Sequence, residues 1–292
     1  MFLQYLPVRV SALCMILLLL AGCSPFIQPA RVASVTPTYR DLIALPAPKG
    51  KIKVAVYNFR DQTWQYKPLP NVSSFSTAVT QGSTAVLNQT LKDSGWFIPV
   101  EREGLQNLLT ERKIIRAALE KQGQDLAQTL PPLDMANVII EGGVIGYDTN
   151  IVTGGLGGKY FGVGGATECR KDRITVCLRA VDVRSGRILK SVTTTKTVLS
   201  REVSAGVFRF ISYKRLLEAE TGLTTNEPVH LAVTGAIEKA VVGLVVEGIL
   251  DGIWALEDPG EMQTPVIQDY LAEAEDANRF LTAREDPLGD EG

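Results

Sequence analysis

The segment Arg173-Ile174-Thr175-Val176-Cys177-Leu178-Arg179-Ala180 decides how this chain folds, because polar and apolar side chains alternate along it without a break. Alternation with a period of two predicts a β-strand. A strand of a membrane barrel needs this pattern, with one face towards the lumen and the other towards lipid. The segment closes a glycine-rich stretch, residues 143–182, which is long enough for a hairpin of two membrane strands.

A second stretch, residues 188–213, has the same character. It carries a β-branched run at 193–198 and then an alternation at Val203, Ala205 and Val207. We predict a second hairpin here, with two membrane strands of ~9 to 11 residues. Two soluble hairpins of a β-rich domain would show the same alternation, because the barrel signal in each strand is weak.

If both hairpins enter a membrane, one copy of the chain cannot insert alone. Four strands in an open sheet would leave edge N–H and C=O groups unpaired in lipid, at a cost of several kcal/mol for each group. An aqueous barrel needs about sixteen strands or more, so at least about four copies must close one ring. Membrane insertion and oligomerisation are therefore predicted to be one event.

The N-terminus has the features of an export leader, residues 1–22, with an apolar stretch too short to span a bilayer as a helix. The leader ends in Leu20-Ala21-Gly22 before Cys23, the arrangement that lipoprotein signal peptidase cleaves once the cysteine carries a diacylglycerol. Acyl chains contribute about 0.8 kcal/mol per buried CH₂ and hold a protein on a membrane. Ser24 replaces the aspartate that commonly retains lipoproteins at the inner membrane, so we expect anchoring at the outer membrane.

The rest of the chain has an α+β pattern. Pro99 suggests that its strand lies at a sheet edge. The last helix is expected to turn one apolar face inward and to hold Glu238, Glu247 and Asp251 on the other face. No run of 18 apolar residues follows the leader, which argues against a helical membrane span. The predicted strands are 51–59, 96–100 and 137–140, and the predicted helices are 83–93, 104–121 and 226–254.

Composition and motifs favour no enzyme, cofactor or metal site. The net charge is only −2, which gives no argument for a nucleic-acid partner. The glycine cluster at 154–158 is not a phosphate-binding loop, because Tyr160 stands where Ser or Thr would bind Mg²⁺. His230 is the only histidine and has no nucleophile motif nearby. Cys169 and Cys177 lie in one extended segment, too far apart to form a disulfide unless the chain turns between them.

Residues 64–79 read Trp-Gln-Tyr-Lys-Pro-Leu-Pro-Asn-Val-Ser-Ser-Phe-Ser-Thr-Ala-Val. This stretch resembles the constriction loop of the curli secretion channel family, CsgG, which reads approximately Lys-Pro-Tyr-Pro, a short gap, and Asn-Phe-Ser-Thr-Ala-Val. Further blocks of resemblance lie at 96–99, 104–118, 205–211 and 226–229. Together they extend from Cys23 to about Trp254.

The resemblance implies a ring of nine subunits, each giving four strands to one barrel of about 36, above a periplasmic vestibule. It also implies unfolded curli subunits, CsgA and CsgB, as cargo, with CsgE as a periplasmic adaptor and CsgF at the cell surface. In the family a tyrosine, an asparagine and a phenylalanine form the constriction. Phe75 matches the phenylalanine, whereas Leu69 stands at the tyrosine and Ser74 at the asparagine. One residue is inserted at Asn71 or Val72.

The predicted fold class is therefore an α+β periplasmic domain with two inserted transmembrane β-hairpins, assembled into an oligomeric transmembrane β-barrel. The alternative is a periplasmic scaffold or assembly-factor lipoprotein that forms no pore. The predicted division is a signal peptide 1–22, a lipidated tether 23–48, a periplasmic α+β domain 49–142 with the constriction loop 64–79, a first hairpin 143–182, a second hairpin 188–213, periplasmic helices 214–256 and a C-terminal tail 257–292.

Overall fold

The computed structural model describes residues 36–66, 77, 79–123, 129–153, 163–212, 215–225 and 229–284. These residues form a sheet with helices packed against it. In chain order the elements are α1 Pro37–Ile43, β1 Ile52–Ala55, β2 Phe59–Asp61, α2 Ser83–Asp93, β3 Phe97–Val100, α3 Leu105–Gln122, β4 Val138–Thr153, β5 Val163–Asp182, β6 Ile188–Ser212, β7 Arg215–Thr225, α4 Val229–Leu250, a 3₁₀ helix Pro259–Gln263 and α5 Pro265–Arg284.

The seven strands form one sheet in the order β3-β1-β4-β5-β6-β7, with β2 also paired to β4. The first part is parallel, since β1 runs parallel to β3 and β4, and β2 runs parallel to β4. From β4 to β7 the strands form an antiparallel meander. Strand β3 lies at one edge, as Pro99 predicts, because proline has no N–H for a second neighbour.

The predicted elements of the α+β part are present, with two changes. The helix predicted at 83–93 has those bounds, and the helix predicted at 104–121 is Leu105–Gln122. The single strand predicted at 51–59 is divided into β1 and β2, because these pair with separate parts of β4. Strand β4 does not end at Ile140 but continues through Thr153.

Residues 188–213 were predicted to form two strands, and this is wrong. They contain one strand of 25 residues, β6, which pairs with β5 from Ile188 to Val207 and with β7 on its other side. Apart from a register shift at Ala180–Val181, this ladder with β5 is continuous and leaves no place for a turn inside β6. The second antiparallel pair is therefore β6 with β7, and residues 215–225, predicted to be helical, are a strand.

The alternation at 173–180 has a different cause from the one predicted. The apolar members of the segment have no exposed surface and belong to the hydrophobic core. Helix α4 packs against β5, so this face meets protein and not lipid. Alternation indicates that one face of a strand is buried, but not whether protein or lipid buries it. The covered residues are Ile174, Val176, Leu178 and Ala180.

Helix α4 lies at the centre of the core, and most of its residues are buried. Helices α1, α2 and α5 and strands β5 and β6 all contact it. The prediction of one apolar and one solvated face was wrong for Glu238, whose residue is 3% exposed. By length and composition α4 could cross a membrane, at 22 residues and mean hydropathy 1.7, although Glu238, Lys239 and Glu247 interrupt its apolar run. In the fold 72% of its apolar window is buried inside the protein.

The fold extends further at both ends than the sequence predicts. In the predicted tether, residues 36–48 belong to the fold, because Leu42 of α1 is fully buried and Pro48 pairs with Leu256. In the predicted tail, Ile267 of α5 is fully buried. Helix α5 also contacts α4. Helix α1 has only seven residues, and α5 lies in an acidic segment, so few apolar residues mark either helix in the sequence.

Candidate functional site: the meander and the base of the loop

The meander has a core-packed half and a half that continues beyond it. On β6 the buried side chains near α4 include Val192 and Val198, and on β5 they reach Asp172. Both strands then continue, β5 through residues 163–171 and β6 through 199–212. At ~3.3 Å per residue these continuations measure roughly 30 and 45 Å. A membrane strand needs ~9 to 11 residues, so the backbone is long enough to cross a bilayer.

The two outer edges of the meander differ in how they are covered. The first part of β4, up to Val144, pairs with β1 and β2. After Val144, β5 is the strand that the structure pairs with β4. Strand β7 is the last strand at the other edge of the sheet. Among the residues that the structure describes, the meander thus presents one strand edge on each side for a further strand.

Side chains at the base of the continuation are polar. A cavity of about 300 Å³ is lined by residues of β4 and β5 where these strands leave the core. Lys171 and Arg173 are exposed there. Lys or Arg at a bilayer midplane costs about 2–4 kcal/mol, so this level suits water or head groups and not hydrocarbon. The lining residues are Tyr147, Asp148, Thr149, Lys171 and Arg173.

The predicted constriction loop begins and ends on fixed structure. Tyr66 pairs with Thr77 in an antiparallel bridge, which brings the two ends of residues 67–76 together. Before the loop, Phe59 donates its N–H to Thr84 Oγ1 at 2.9 Å, and Thr84 Oγ1 donates to the Phe59 carbonyl at 3.2 Å. Because Thr84 is buried in α2, this reciprocal pair fixes β2 to the domain.

Two glycines of β4 allow the stem of the loop to approach the sheet. A Cβ on Gly143 would lie 2.4 Å from the Arg60 carbonyl oxygen, and a Cβ on Gly142 would lie 2.0 Å from the Cys177 carbonyl oxygen. Gly142 also has a φ of 155°, which favours glycine. The sequence alone assigns neither glycine a role. Their role depends on β2 lying beside β4, which a pattern of residues does not reveal.

The predicted site residues themselves lie outside the described residues. This applies to Cys23 and to Leu69, Ser74 and Phe75, as well as to the insertion at Asn71 or Val72. The structure therefore describes Tyr66 and Thr77 at the two ends of the predicted constriction loop, but not the residues predicted to line the constriction. Next to the base, Trp64 is 81% exposed and has a φ of 55°, which is unusual for a residue other than glycine.

The remaining cysteines agree with the prediction that they form no disulfide with each other. Cys169 and Cys177 lie in one strand, β5, and Cys177 is a free thiol. The Sγ of Cys177 is 3.8 Å from Ser191 Oγ. No cluster of His, Cys, Asp or Glu that could hold a metal occurs among the described residues.

A buried carboxyl group joins the first helix to the central helix. Thr36, the N-cap of α1, donates its hydroxyl to Glu238 Oε2 of α4 and accepts the N–H of Tyr39 at 3.1 Å. Burial is the main cause that raises the pKa of Glu238, and the charge of Asp93 adds to it; the Thr36 hydrogen bond and Lys196 act in the opposite direction. The sequence does not reveal this pair, because a hydrogen bond across 202 positions leaves no local pattern.

These features define a mixed α/β protein whose sheet continues into four long antiparallel strands. Residues 35–274 match the family described as Curli production assembly/transport component CsgG. The chain belongs to the CsgG family, which confirms the resemblance seen in residues 64–79 and the other blocks. The family is described as a curli production assembly/transport component and is not a known enzyme family.

Two curated relatives carry the same description, Curli production assembly/transport component CsgG. The protein of Escherichia coli and that of Salmonella typhimurium are each 51% identical to this chain over 259 residues, covering 87% of this chain and 93% of the relative. Among solved structures, a PelC dodecamer from Paraburkholderia phytofirmans is matched over 67% of this chain and 89% of that chain, with 12% identity and a TM-score of 0.26.

Proposed function

We propose that this chain is an outer-membrane lipoprotein whose copies form an oligomeric pore that exports unfolded curli subunits without ATP. Membership of the CsgG family supports a role in curli assembly or transport. The observation that carries the pore itself is the meander, whose four strands continue well beyond the part that packs on α4.

The two strand edges support closure by several copies. In lipid, each unpaired N–H or C=O group costs several kcal/mol. Strand β7 of one copy would therefore pair with the part of β4 after Val144 in the next copy. Such head-to-tail contact produces a closed ring when the rotation between copies divides a full circle. The family resemblance suggests nine copies, which would give a barrel of about 36 strands.

Anchoring through the lipid on Cys23 suits this arrangement. Helix α1 begins at Pro37, so residues 24–35 separate the acylated cysteine from the fold. At ~3.3 Å per residue this segment spans up to roughly 40 Å, enough to reach the inner leaflet of the outer membrane from a periplasmic domain. The domain around α4 then lies in the periplasm, below the barrel.

The constriction is assigned to Leu69, Ser74 and Phe75, in the segment whose ends are joined by Tyr66 and Thr77. A ring of Phe75 side chains, backed by Pro68 and Pro70, would narrow the lumen with rigid apolar surface that slides along an extended chain. Leu69 and Ser74 replace a tyrosine and an asparagine of the family, so this gate is expected to be wider and less polar.

Movement through such a pore needs no nucleotide. The cargo would be the curli subunits CsgA and CsgB, delivered by CsgE from the periplasm and received by CsgF at the cell surface. Diffusion of an unfolded chain becomes directional when the chain is confined on one side and folds on the other. Folding outside the cell withdraws chain from the pore and supplies the free energy for export.

Conductance tests the pore and its gate. The acylated full-length protein, added to planar bilayers, is expected to form discrete conducting pores, and Phe75→Ala is expected to raise the conductance per pore severalfold. A lone subunit that makes no conducting pores would overturn the proposal in favour of a periplasmic scaffold. Unchanged conductance and export in Phe75→Ala, with pores present, would remove this loop from the gate but leave the pore.

A further inference from the structure

The cavity between β4 and β5 is lined by charges of both signs. Its volume is about 300 Å³, and Asp148, Lys171 and Arg173 are among its lining residues. All three are exposed, and the ion pairs of the described residues leave them out. Asp148 lies directly opposite Arg173 in the strand pairing, yet no ion pair joins the two. Two cations and one carboxylate thus remain available to a ligand.

The charged lining lies on the side of the sheet that α4 does not cover. Lys171 and Arg173 alternate along β5 with the buried residues that meet α4. Arg173 is paired with Thr197 of β6, so the odd-numbered positions of β6 belong to the same side. Further along β6 these positions hold Val203, Ala205 and Val207, and the positions between them hold Glu202, Ser204 and Gly206. In a membrane barrel the apolar side faces lipid, so the cavity opens outwards and not into the lumen.

The cavity also lies at the level of lipid head groups in the proposed pore. Lys171 is paired with Leu199, four positions before Val203. This separation is about 13 Å along a strand, and about 10 Å along the membrane normal at a tilt of ~40°. Head groups extend about 5–8 Å beyond the hydrocarbon on each side of a bilayer. A lysine or arginine side chain spans the remaining distance, because its apolar stem follows the protein surface while its charge stays in the polar layer.

We propose that this cavity binds the head group of a zwitterionic phospholipid from the periplasmic leaflet. Lys171 and Arg173 hold the phosphate through charge-assisted hydrogen bonds, and Asp148 accepts hydrogen bonds from the ammonium group of the same lipid. Asp148 selects this ligand, because its carboxylate repels a head group that is only anionic. A cavity of about 300 Å³ is at the small end of ligand sites, which suits a head group and not a whole lipid.

The inference rests on the proposed pore and gives each copy a fixed lipid contact where its strands enter the membrane. Basic pockets at this level of membrane proteins are recognised binding sites for lipid head groups. The ligand is therefore a component of the membrane itself, which every inserted copy meets at high local concentration.

Native mass spectrometry of the acylated full-length protein in detergent measures lipid binding. Dioctanoyl phosphatidylethanolamine, dioctanoyl phosphatidylglycerol and inorganic phosphate are titrated separately. The double variant Lys171→Gln, Arg173→Gln is expected to bind both lipids about tenfold more weakly or less. Asp148→Asn is expected to weaken the ethanolamine lipid and to strengthen the glycerol lipid, because the carboxylate no longer attracts one and repels the other.

A matched control removes the same amount of charge elsewhere on the sheet. Arg179, on the same side of β5, and Arg187, in the turn before β6, are both exposed. The double variant Arg179→Gln, Arg187→Gln is expected to bind both lipids as the parent does. Equal weakening in the control would show that surface charge in general attracts lipid, and this would overturn the cavity as a site.

The remaining outcomes separate the lipid site from the pore. Inorganic phosphate that binds as tightly as the lipids would assign the cavity to a free ion and overturn the head-group site. The same response of both lipids to Asp148→Asn would overturn the zwitterionic ligand. Conducting pores with unchanged lipid binding in Lys171→Gln, Arg173→Gln would overturn the site and leave the proposed function intact. A parent protein that forms no conducting pores would overturn the proposed function, and with it the membrane level on which the site depends.

Discussion

Helices α3 and α4 are of similar length but have opposite surroundings. Helix α4 has 22 residues, most of them buried, including the carboxyl-bearing Glu238. Helix α3 has 18 residues, and its isoleucines are exposed. Helix α3 carries six charged residues and α4 only three, so the more apolar helix is the buried one. The comparison teaches that apolar content and the number of packed elements go together, since three helices and two strands contact α4.

The largest expected effect compares an isoleucine of each helix. Ile237→Ala in α4 removes a fully buried side chain and should lower the free energy of unfolding by about 3 kcal/mol. Ile114→Ala in α3 should change it by less than about 0.5 kcal/mol. Urea unfolding of the Cys23→Ser chain, at a concentration where sedimentation shows single copies, measures both. Equal losses in the two variants would contradict the contrast between the helices.

A smaller effect separates two glycines within α4. A Cβ on Gly248 would lie 2.1 Å from the ring of Trp254, which is held in place because its Nε1 donates to the Val245 carbonyl at 2.9 Å. Gly248→Ala should therefore cost about 2 kcal/mol. A Cβ on Gly235 would meet only Thr38 Oγ1, at 3.6 Å. Gly235→Ala should therefore stabilise the protein by about 0.5–1 kcal/mol through helix propensity. Thermal unfolding should move in opposite directions for the two variants, and shifts of the same sign would refute the close packing at Gly248.

The smallest effect concerns the pH dependence of stability. Burial raises the pKa of Glu238 above its ordinary value of 4.5, so the folded state binds this proton more tightly than the unfolded state does. The stability it contributes is complete below pH 4.5 and is lost as pH rises through the folded pKa. Glu238→Gln removes this pH-dependent loss of stability, and the amide oxygen of the new glutamine can still accept a hydrogen bond from the Thr36 hydroxyl.

Urea titrations at several pH values measure this effect. Relative to the parent chain, Glu238→Gln should gain stability as pH rises from 4.5 towards 8, with little difference at pH 4. Asp93→Asn is the control, since it removes the neighbouring charge that adds to the pKa shift and should reduce the slope without abolishing it. A constant difference between Glu238→Gln and the parent across the range would show that Glu238 does not titrate in this window.

Local patterns predicted the local elements well. The spacing of Val86, Leu87 and Leu91 predicted α2 with its observed bounds, and Pro99 predicted the edge position of β3. The family resemblance in residues 64–79 was also confirmed by the match over 35–274. These predictions succeeded because the information lies within a few neighbouring residues or in a long ordered sequence.

Predictions that depend on distant neighbours were less successful. The alternation at Ile174 to Ala180 was assigned to lipid, although α4 covers that face, and β6 was divided although β5 pairs along most of it. Both errors concern what lies beside a strand, which the strand's own residues do not encode. The site residues Leu69, Ser74 and Phe75 stay predictions from the resemblance, whereas Gly142 and Gly143 emerged only when β2 was placed against β4.

The bridge between Tyr66 and Thr77 has a consequence for how such a protein can diversify. When the two ends of a segment are held by the surrounding domain, even doubling its length costs only about 0.6 kcal/mol of closure entropy. The extra residue that the family resemblance implies at Asn71 or Val72 would be a change of this kind. In the proposed pore, the lining of the constriction and the domain that holds it could therefore change independently, because residues between Tyr66 and Thr77 can be replaced or added without altering the rest of the fold.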